Sequence, residues 1–345
     1  MDEESVATLV GEPEAFAAAV ETHRHELRVH CYRLLGSFHD AEDLVQETFL
    51  RAWRRRGTLR AEPSLRAWLH KVATLACLDL LDRENRRVTR YLRPPLVESP
   101  GARPPLAVGW LEPYPDRLLD AAAPADGEPG ADPAPRETIE LAFVVALQQL
   151  SPWQRAVLVL RDVLGWSTND TSALLDRGVT SVASALQRAR LSMRVNLAPE
   201  HEKPTAGAEP GAEELALVRR LAEAHERADL QGIADLLAAD VQQTIPSQQD
   251  WLAGRAALMT LTARDLDPTS ERYQGERRSV LTWANRQPAL AHYVQRPSAE
   301  ETREMSGEHR AQGLDVITVA GGEITAITTF GPRHLAFFDL PLVLP

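Results

Sequence analysis

The sequence predicts a multidomain fold class: two all-α domains, the second with a helix-turn-helix, followed by an α+β domain. Three observations lead there. The chain has 345 residues, where a domain usually takes roughly 100–200, so a single core is excluded. Two stretches rich in helix breakers divide it: residues 94–135 hold 11 Pro and 4 Gly, and the run PEHEKPTAGAEPG beginning at Pro199 repeats the signal. Apolar residues recur at helical spacing before the second break, whereas after it an initial helix gives way to alternation with period two. The expected organisation is a helical domain at 10–93, a linker at 94–135, a helix-turn-helix domain at 136–198, a short linker at 199–212 and the α+β domain at 213–345.

Apolar residues make up 44% and charged residues 25%, the balance of a chain that buries a core, which excludes wholesale disorder. No apolar run approaches the roughly 18 residues of a membrane span. The acidic start MDEESVATLV is the reverse of a basic secretory signal, so the expected location is cytoplasmic, with no membrane contact. Cys31 and Cys77 are too few for a disulfide framework, and no Cys/His group has zinc spacing; neither a metal nor another cofactor is expected. The net charge of −11 hides a partition. Residues 51–93 carry 12 Arg and Lys against 4 acids, 151–199 carry 6 against 3, and the part beyond 199 carries 14 against 22. Basic islands on an acidic chain suit pieces that approach phosphate, and equally suit solvated helix faces.

In the first domain Phe16, Val20, Leu27, Leu34 and Leu35 recur at helical intervals. Asp40 opens a further helix with Asp43 three residues on, acids at the positive end of the dipole. Ala41, Leu44, Val45, Phe49 and Trp53 form its apolar stripe, leaving Asp43, Gln46, Glu47 and Arg51 on the other face. A helix from Ser64 to Arg87 buries Leu65, Trp68, Leu69, Val72, Leu78 and Leu81. In the second domain Ser151-Pro152 starts a helix running to Leu164, which Gly165 stops. Ser167 caps a short helix holding Leu174 and Leu175; Gly178 allows a turn; Thr180 caps a last helix with Val182, Leu186 and Ala189 inward. Short helix, turn and long helix make a helix-turn-helix, although a generic helical hairpin has the same rhythm. The last helix exposes Ser181, Ser184, Gln187, Arg188 and Arg194, side chains that reach base edges and phosphates. In the third domain a helix at 213–228 sets Leu217, Leu221 and His225 on related faces, and a short helical piece follows at 235–239. Strands are expected at 241–245, 278–283, 289–294, 314–319 and 324–330, with Gly321-Gly322 turning the last pair of an antiparallel meander.

The stretches HDAEDLVQETFLRAW (from His39) and SLRAWLHKVATLACLDLL (from Ser64) resemble the second conserved region of extracytoplasmic-function sigma factors. LSPWQRAVLVLRDVLGWS (from Leu150) and LLDRGVTSVASALQRAR (from Leu174) resemble their fourth region. WLEPYPDRLLD (from Trp110) and RETIELAF (from Arg136) look like the subgroup with an extra C-terminal domain. That domain is similar to the SnoaL-like, ketosteroid-isomerase-like fold through TIPSQQDWLAG (from Thr244), ANRQPALAHY (from Ala284) and GLDVITVAGGEITAITTF (from Gly313), which implies an α+β cone-shaped barrel. The resemblance implies a specificity subunit of RNA polymerase. Asp40, Asp43, Gln46 and Glu47 would contact core RNA polymerase at the β′ clamp helices, the β flap would be a further contact, and promoter DNA a second partner. Arg60 and Arg66 would act on the downstream promoter element, with Trp68 either stacking a base or, as its apolar neighbours favour, part of the core. Arg177, Ser181, Ser184, Gln187 and Arg188 would read the upstream element. Several residues depart from the family pattern: Leu75 stands for an Asn, Asn169-Asp170-Thr171-Ser172 for a more apolar run, Ala183 for an Asn, and Glu62-Pro63 enters the promoter loop. Thr171 and Ser172 need hydrogen-bond partners, or their hydroxyls cost stability.

By strand alternation Asp315 shares a face with Ile317 and Val319, directed into the cone, which would raise its pKa; a solvated rim carboxylate is the other reading. Trp251, Trp283, Tyr293 and Asp315 are the expected pocket for a small-molecule ligand, giving the domain a regulatory or sensing role. In the alternative, a sigma-derived cyclase, isomerase or hydratase, Asp315, His292, Tyr293 and His309 carry acid/base catalysis.

Overall fold

The computed structural model describes residues 11–61, 64–84, 94–97, 104–106, 108–120, 139–197, 211–273, 275–295 and 308–345. The chain divides into two compact units, Met1–Val88 with Leu118–Ala206, and Thr89–Arg117 with Gly207–Pro345. Both helical regions thus fall in one unit, and part of the Pro-rich stretch belongs to the other.

The first unit holds α1 (Pro13–Glu21), α2 (Arg24–Leu35), α3 (Phe38–Arg55), a 3₁₀ segment (Arg56–Ala61), α4 (Leu65–Glu84), α5 (Leu141–Gln148), α6 (Pro152–Leu158) with a π turn over Val159–Val163, α7 (Thr168–Leu175) and α8 (Val179–Asn196). Gly36 ends α2 at φ 72°, a left-handed cap that favours glycine. A Cβ there would also meet the Gln148 side chain at 3.1 Å. The α3 start differs from expectation: Ser37, not Asp40, is the cap, its hydroxyl accepting from Asp40 N at 3.2 Å. Ser151 and Gln154 form a capping box on α6, and Ser167 caps α7 by accepting from Asp170 N at 3.0 Å. The turn to α8 departs twice. Asp176 takes the left-handed position at φ 50°, which a short polar side chain tolerates, and Gly178 rather than Thr180 precedes the helix.

The core joining the two helical regions is polar at its centre. Arg155 is buried, donating to the carbonyl of Leu34 and, at 3.0 Å and 3.2 Å, to those of Leu147 and Leu150. Gln148 donates to the Arg33 carbonyl at 3.2 Å. Cys31 and Cys77 are buried and free.

In the second unit α9 (Ala212–Glu226) and α10 (Leu230–Ala234) precede β1 (Leu237–Ile245), β2 (Asp250–Ala253), α11 (Arg255–Leu266), β3 (Glu276–Ala284), β4 (Gln287–Gln295), β5 (His309–Ala320), β6 (Glu323–Phe330) and β7 (Val343–Leu344). The fold class stands as α+β. The sheet runs β2-β1-β6-β5-β4-β3, with β7 on β5, and is an open path rather than a closed barrel. Nor is it a simple meander: β1 lies parallel to β6, which places the first strand between β2 and β6 rather than beside its successor alone. Leu217, Leu221, Leu290, Ile317 and Ile327 build the core between the helices and one sheet face.

The segment read as linker is anchored to this unit. Tyr114 is buried; its N–H donates to Asn285 Oδ1 at 2.8 Å, and Asn285 N returns a bond to its carbonyl at 2.9 Å. Asp116 Oδ1 accepts from Arg286 N at 2.8 Å. These bonds clasp the β3–β4 turn, where Asn285 and Arg286 both have positive φ, 57° and 59°.

Candidate functional sites

On α3 the apolar stripe turns Ala41, Leu44, Val45 and Thr48 inward. Asp43 and Gln46 are exposed, and Asp40 and Glu47 half-buried. Glu47 is engaged: Arg51 Nε donates to it at 2.7 Å, while Arg51 Nη1 reaches Asp79 at 2.7 Å. The face therefore offers Gln46, Asp43 with His39 Nε2 3.8 Å from its carboxylate, and Glu47 through a local ion pair.

Arg60 lies in the 3₁₀ segment, and Glu62-Pro63 fall outside the described residues. Arg66 Nε donates to Glu26 at 2.8 Å. Burial works against the charge of Glu26, but the hydrogen bond from His23, His70 nearby and Arg66 hold its pKa at about 2. Trp68 is core, 2% exposed, its indole N–H donating to Thr58 Oγ1 at 3.2 Å.

On α8 all of Ser181, Ser184, Gln187 and Arg188 are exposed, and so is Arg177 just before it. Val182, Ala185, Leu186, Ala189 and Met193 pack inward. The helix carries Arg188, Arg190 and Arg194 and no acid, so its outer face is a positive, hydroxyl- and amide-bearing ridge of the kind that enters a major groove. Arg190 is held by Asp162 in two bonds of 2.8 Å and 2.7 Å, which leaves Arg188 the less committed cation. The hydroxyls in α7 find partners: Thr171 Oγ1 donates to Ser167 O at 2.9 Å and Ser172 Oγ to Arg177 O. They are accommodated without unsatisfied polar atoms.

In the second unit the predicted residues separate. Asp315 accepts from His292 Nε2 at 2.9 Å and from Thr329 Oγ1 at 2.6 Å. Thr329 Oγ1 in turn accepts from Gln243 Nε2 at 2.9 Å, extending the chain across β1, β6, β5 and β4. Burial opposes the Asp315 charge most strongly, but His292, Thr329 and His225 together hold its carboxyl below the usual range. This corrects the expected raised pKa: the residue is inward, as alternation requires, but the charge interaction with His292 and the hydrogen bonds it accepts together outweigh its desolvation. Tyr293, adjacent to His292 on β4, faces the other side of the sheet, where its hydroxyl donates to Pro341 O at 2.9 Å. His309 shares that opposite face, two residues from Ala311, the partner of Tyr293. Trp251 is opposite as well, through the pairs Thr244, Thr328 and Val316. Trp283 shares the Asp315 face, since Leu281, Leu290 and Asp315 are successive cross-strand partners. The expected pocket and the expected catalytic set are thus each split: Asp315 and His292 meet, Trp283 lies along the same face, and Tyr293, His309 and Trp251 do not join them.

Sequence reasoning missed the rest of that face. His225 of α9 stacks edge-on against His292, ring centroids 5.7 Å apart. Burial, His292 and Arg277 lower its pKa to about 3, so its ring is neutral. The signal was present: a His in register with Leu217 and Leu221 on an inward stripe. Ser279, the β3 partner of His292, carried no signal of its own.

Family models match twice: sigma-70 region 2 over residues 19–87 and sigma-70 region 4 over residues 140–193. The chain is 40% identical to the ECF RNA polymerase sigma factor SigG of Mycobacterium tuberculosis over 281 residues, 81% of this chain and 73% of that one. It is 32% identical to SigJ of the same organism over 224 residues, 65% and 62% of the two chains. A crystal structure of the extracytoplasmic function sigma factor SigJ covers 95% of this chain and 99% of its own, with a TM-score of 0.58 at 21% identity.

Proposed function

Because the chain belongs to the extracytoplasmic-function RNA polymerase sigma factors, we propose how its residues divide that work. Asp40, Asp43, Gln46 and Glu47 on α3 dock on the β′ clamp helices of the polymerase, with the β flap as a further contact. Ser181, Ser184, Gln187 and Arg188 on α8, with Arg177, read the upstream promoter element, and Arg60 and Arg66 act near the downstream one. The observation that carries this reading is the α8 face, where every candidate reader is exposed while Val182, Ala185, Leu186 and Ala189 are core. The protein acts in the cytoplasm with core polymerase; among the described residues no helix is long and apolar enough to cross a membrane.

The C-terminal domain is a regulatory module that senses a ligand on the face holding Asp315 and His292. Binding there shifts the helical unit between states of different promoter competence through its differential affinity for them. The test is transcription with core polymerase from a promoter selected by footprinting, comparing the full chain with one ending at Pro210. Specific initiation supports the sigma assignment, and its absence with folded protein defeats it; equal activity of the two chains removes the regulatory role. The catalytic alternative rests on the His292–Asp315 pair, without Tyr293 and His309 beside it.

A further inference from the structure

Arg177 stands in the turn that leads into α8, and both of its main-chain groups are fixed by one residue. Ser172, in the last turn of α7, accepts at its carbonyl from the N–H of Asp176 and, at 3.1 Å, from the N–H of Arg177. Its hydroxyl donates to the Arg177 carbonyl. The loop from Ser172 to Arg177 is thereby closed in both directions, with Asp176 at the left-handed position between them. A side chain leaving such a loop starts from a fixed Cα–Cβ direction.

The far end of that side chain is held too. The Arg177 guanidinium carbon lies over the Trp153 ring, 5.8 Å from its centroid. Trp153 sits in the first turn of α6, between the Ser151–Gln154 capping box and Arg155, which is buried and bonded to carbonyls. The aromatic platform is therefore anchored on both sides in the chain. Stacking on an aromatic face occupies the plane of a guanidinium and leaves its edge N–H groups to donate elsewhere. Those of Arg177 have no carboxylate partner among the described residues, in contrast with Arg190, which Asp162 holds in two bonds. Arg177 is exposed, while Trp153 and Ser172 are half-buried. An arginine fixed at its backbone and at its guanidinium plane, with its donors unspent, is prepared for a partner outside the chain.

We propose that Trp153 and Ser172 are positioning residues that preset Arg177 as a bidentate donor to promoter DNA. The acceptor is a planar pair of atoms, either O6 and N7 of a guanine in the major groove or two oxygens of one phosphate. The proposal rests on Arg177 serving the upstream element and adds what orders it there. A free arginine side chain loses rotamer freedom on binding, whereas one already stacked has less to lose, so the same contact binds more tightly. Neither Trp153 nor Ser172 needs to touch DNA; each acts through Arg177, and its effect vanishes when Arg177 is absent.

The test is a double-mutant cycle, read as the affinity of holoenzyme formed with the full chain for a duplex it protects, at several salt concentrations. Trp153→Leu should weaken binding about two- to fivefold, the effect of losing an exposed cation–π contact, and Ser172→Ala by a similar factor. Trp153→Phe and Ser172→Thr, which keep the aromatic face and the hydroxyl, should restore most of the loss. On an Arg177→Ala background neither Trp153→Leu nor Ser172→Ala should cost anything further. A loss that persists there would mark general damage to the helix-turn-helix and overturn the proposal. Should Trp153→Leu unfold the helical unit, the Ser172→Ala arm of the cycle decides alone. Replacing guanines of the duplex singly by 7-deazaguanine, which lacks the N7 acceptor, separates the two acceptors. A guanine whose replacement weakens binding by the wild type but not by Arg177→Ala identifies the base edge. No such guanine, with a salt slope smaller by about one in Arg177→Ala, identifies a phosphate. Neither change, or wild-type affinity in Arg177→Ala while initiation stays specific, sinks the proposal and leaves the sigma reading intact. Absence of specific initiation by the folded full chain sinks both.

Discussion

Arg155 donates from Nη1 to the side-chain oxygen of Gln148 at 2.5 Å, and Gln148 donates in turn to the carbonyl of Arg33. A residue of α6 is thereby tied through α5 to the end of α2, so the two helical regions share a buried polar centre. The remaining guanidinium protons go to the carbonyls of Leu34, Leu147, Gln148 and Leu150. A buried cation satisfied by this many acceptors is costly to remove, because each carbonyl then loses its partner. Arg155→Met should lower the stability of the helical unit by about 3 kcal/mol in urea unfolding followed by helical circular dichroism. Arg155→Lys should fall between, since an ammonium keeps the charge but not the planar fork. A loss below about 0.5 kcal/mol for Arg155→Met would show that the network is dispensable.

Polymerase docking follows from what α3 leaves exposed. Asp43 and Gln46 lie on the face opposite Leu44 and Val45, so replacing both by Ala removes contact groups without touching the core. The double variant should keep the wild-type melting temperature and lose most of its capture by core polymerase. Glu47→Ala should cost less than its position suggests, because part of its charge is already spent on Arg51. Undiminished capture by the double variant would remove α3 from the interface.

Much of this was legible in the sequence where the physics is local. Ser151-Pro152 and Ser167 announce their helices because a cap needs only its own hydroxyl and the next turn. The α3 start was misplaced by three residues because Ser37 and Asp40 both make good first-turn chemistry, and only the backbone decides between them. Asp176 took the left-handed position expected nearer Gly178, since Asp tolerates it and the chain reversal had to fall between Leu175 and Val182. What could not be read were pairings between distant segments: Tyr114 with Asn285, Arg155 with Leu34, and β1 beside β6. The same limit split the C-terminal site. Alternation put Asp315 inward, but strand parity and the register shift that set Tyr293 and His309 on the other face depend on partners.

Promoter reading gives a contrast within one helix. Arg188 is exposed, whereas Arg190 is paired in two bonds to Asp162. Arg188→Ala should cost about 1–3 kcal/mol of discrimination between the cognate upstream element and a point variant of it. Arg190→Ala should mainly loosen the α6–α8 packing and leave the sequence preference intact. Competition footprinting of holoenzyme on both duplexes measures the two effects. Equal loss of discrimination in both variants would mean that the Asp162 pair opens on DNA.

Acid sensitivity of the second unit should trace to His225. Its ring is ordinarily protonated below pH 6.5, yet burial first, then His292 and Arg277, lower the folded value to about 3. Above pH 6.5 the ring is neutral in folded and unfolded chains alike and contributes nothing to pH dependence. Between those two values the unfolded chain binds a proton that the folded one refuses, so stability falls as pH falls. The depressed carboxyl of Asp315 acts in the same direction but lower, being lost only once the solution approaches the carboxylate range. The interval from pH 6.5 to about 4.5 therefore isolates the histidines. His225→Phe should flatten the slope there by up to about 1 kcal/mol per pH unit, read from hydrogen exchange of the β4 and β5 amides in the full chain. Stability at pH 7.5 should change little by comparison, because Phe keeps the ring packed against His292. A slope unchanged by the substitution would assign the acid sensitivity to another buried group and leave His225 as packing alone.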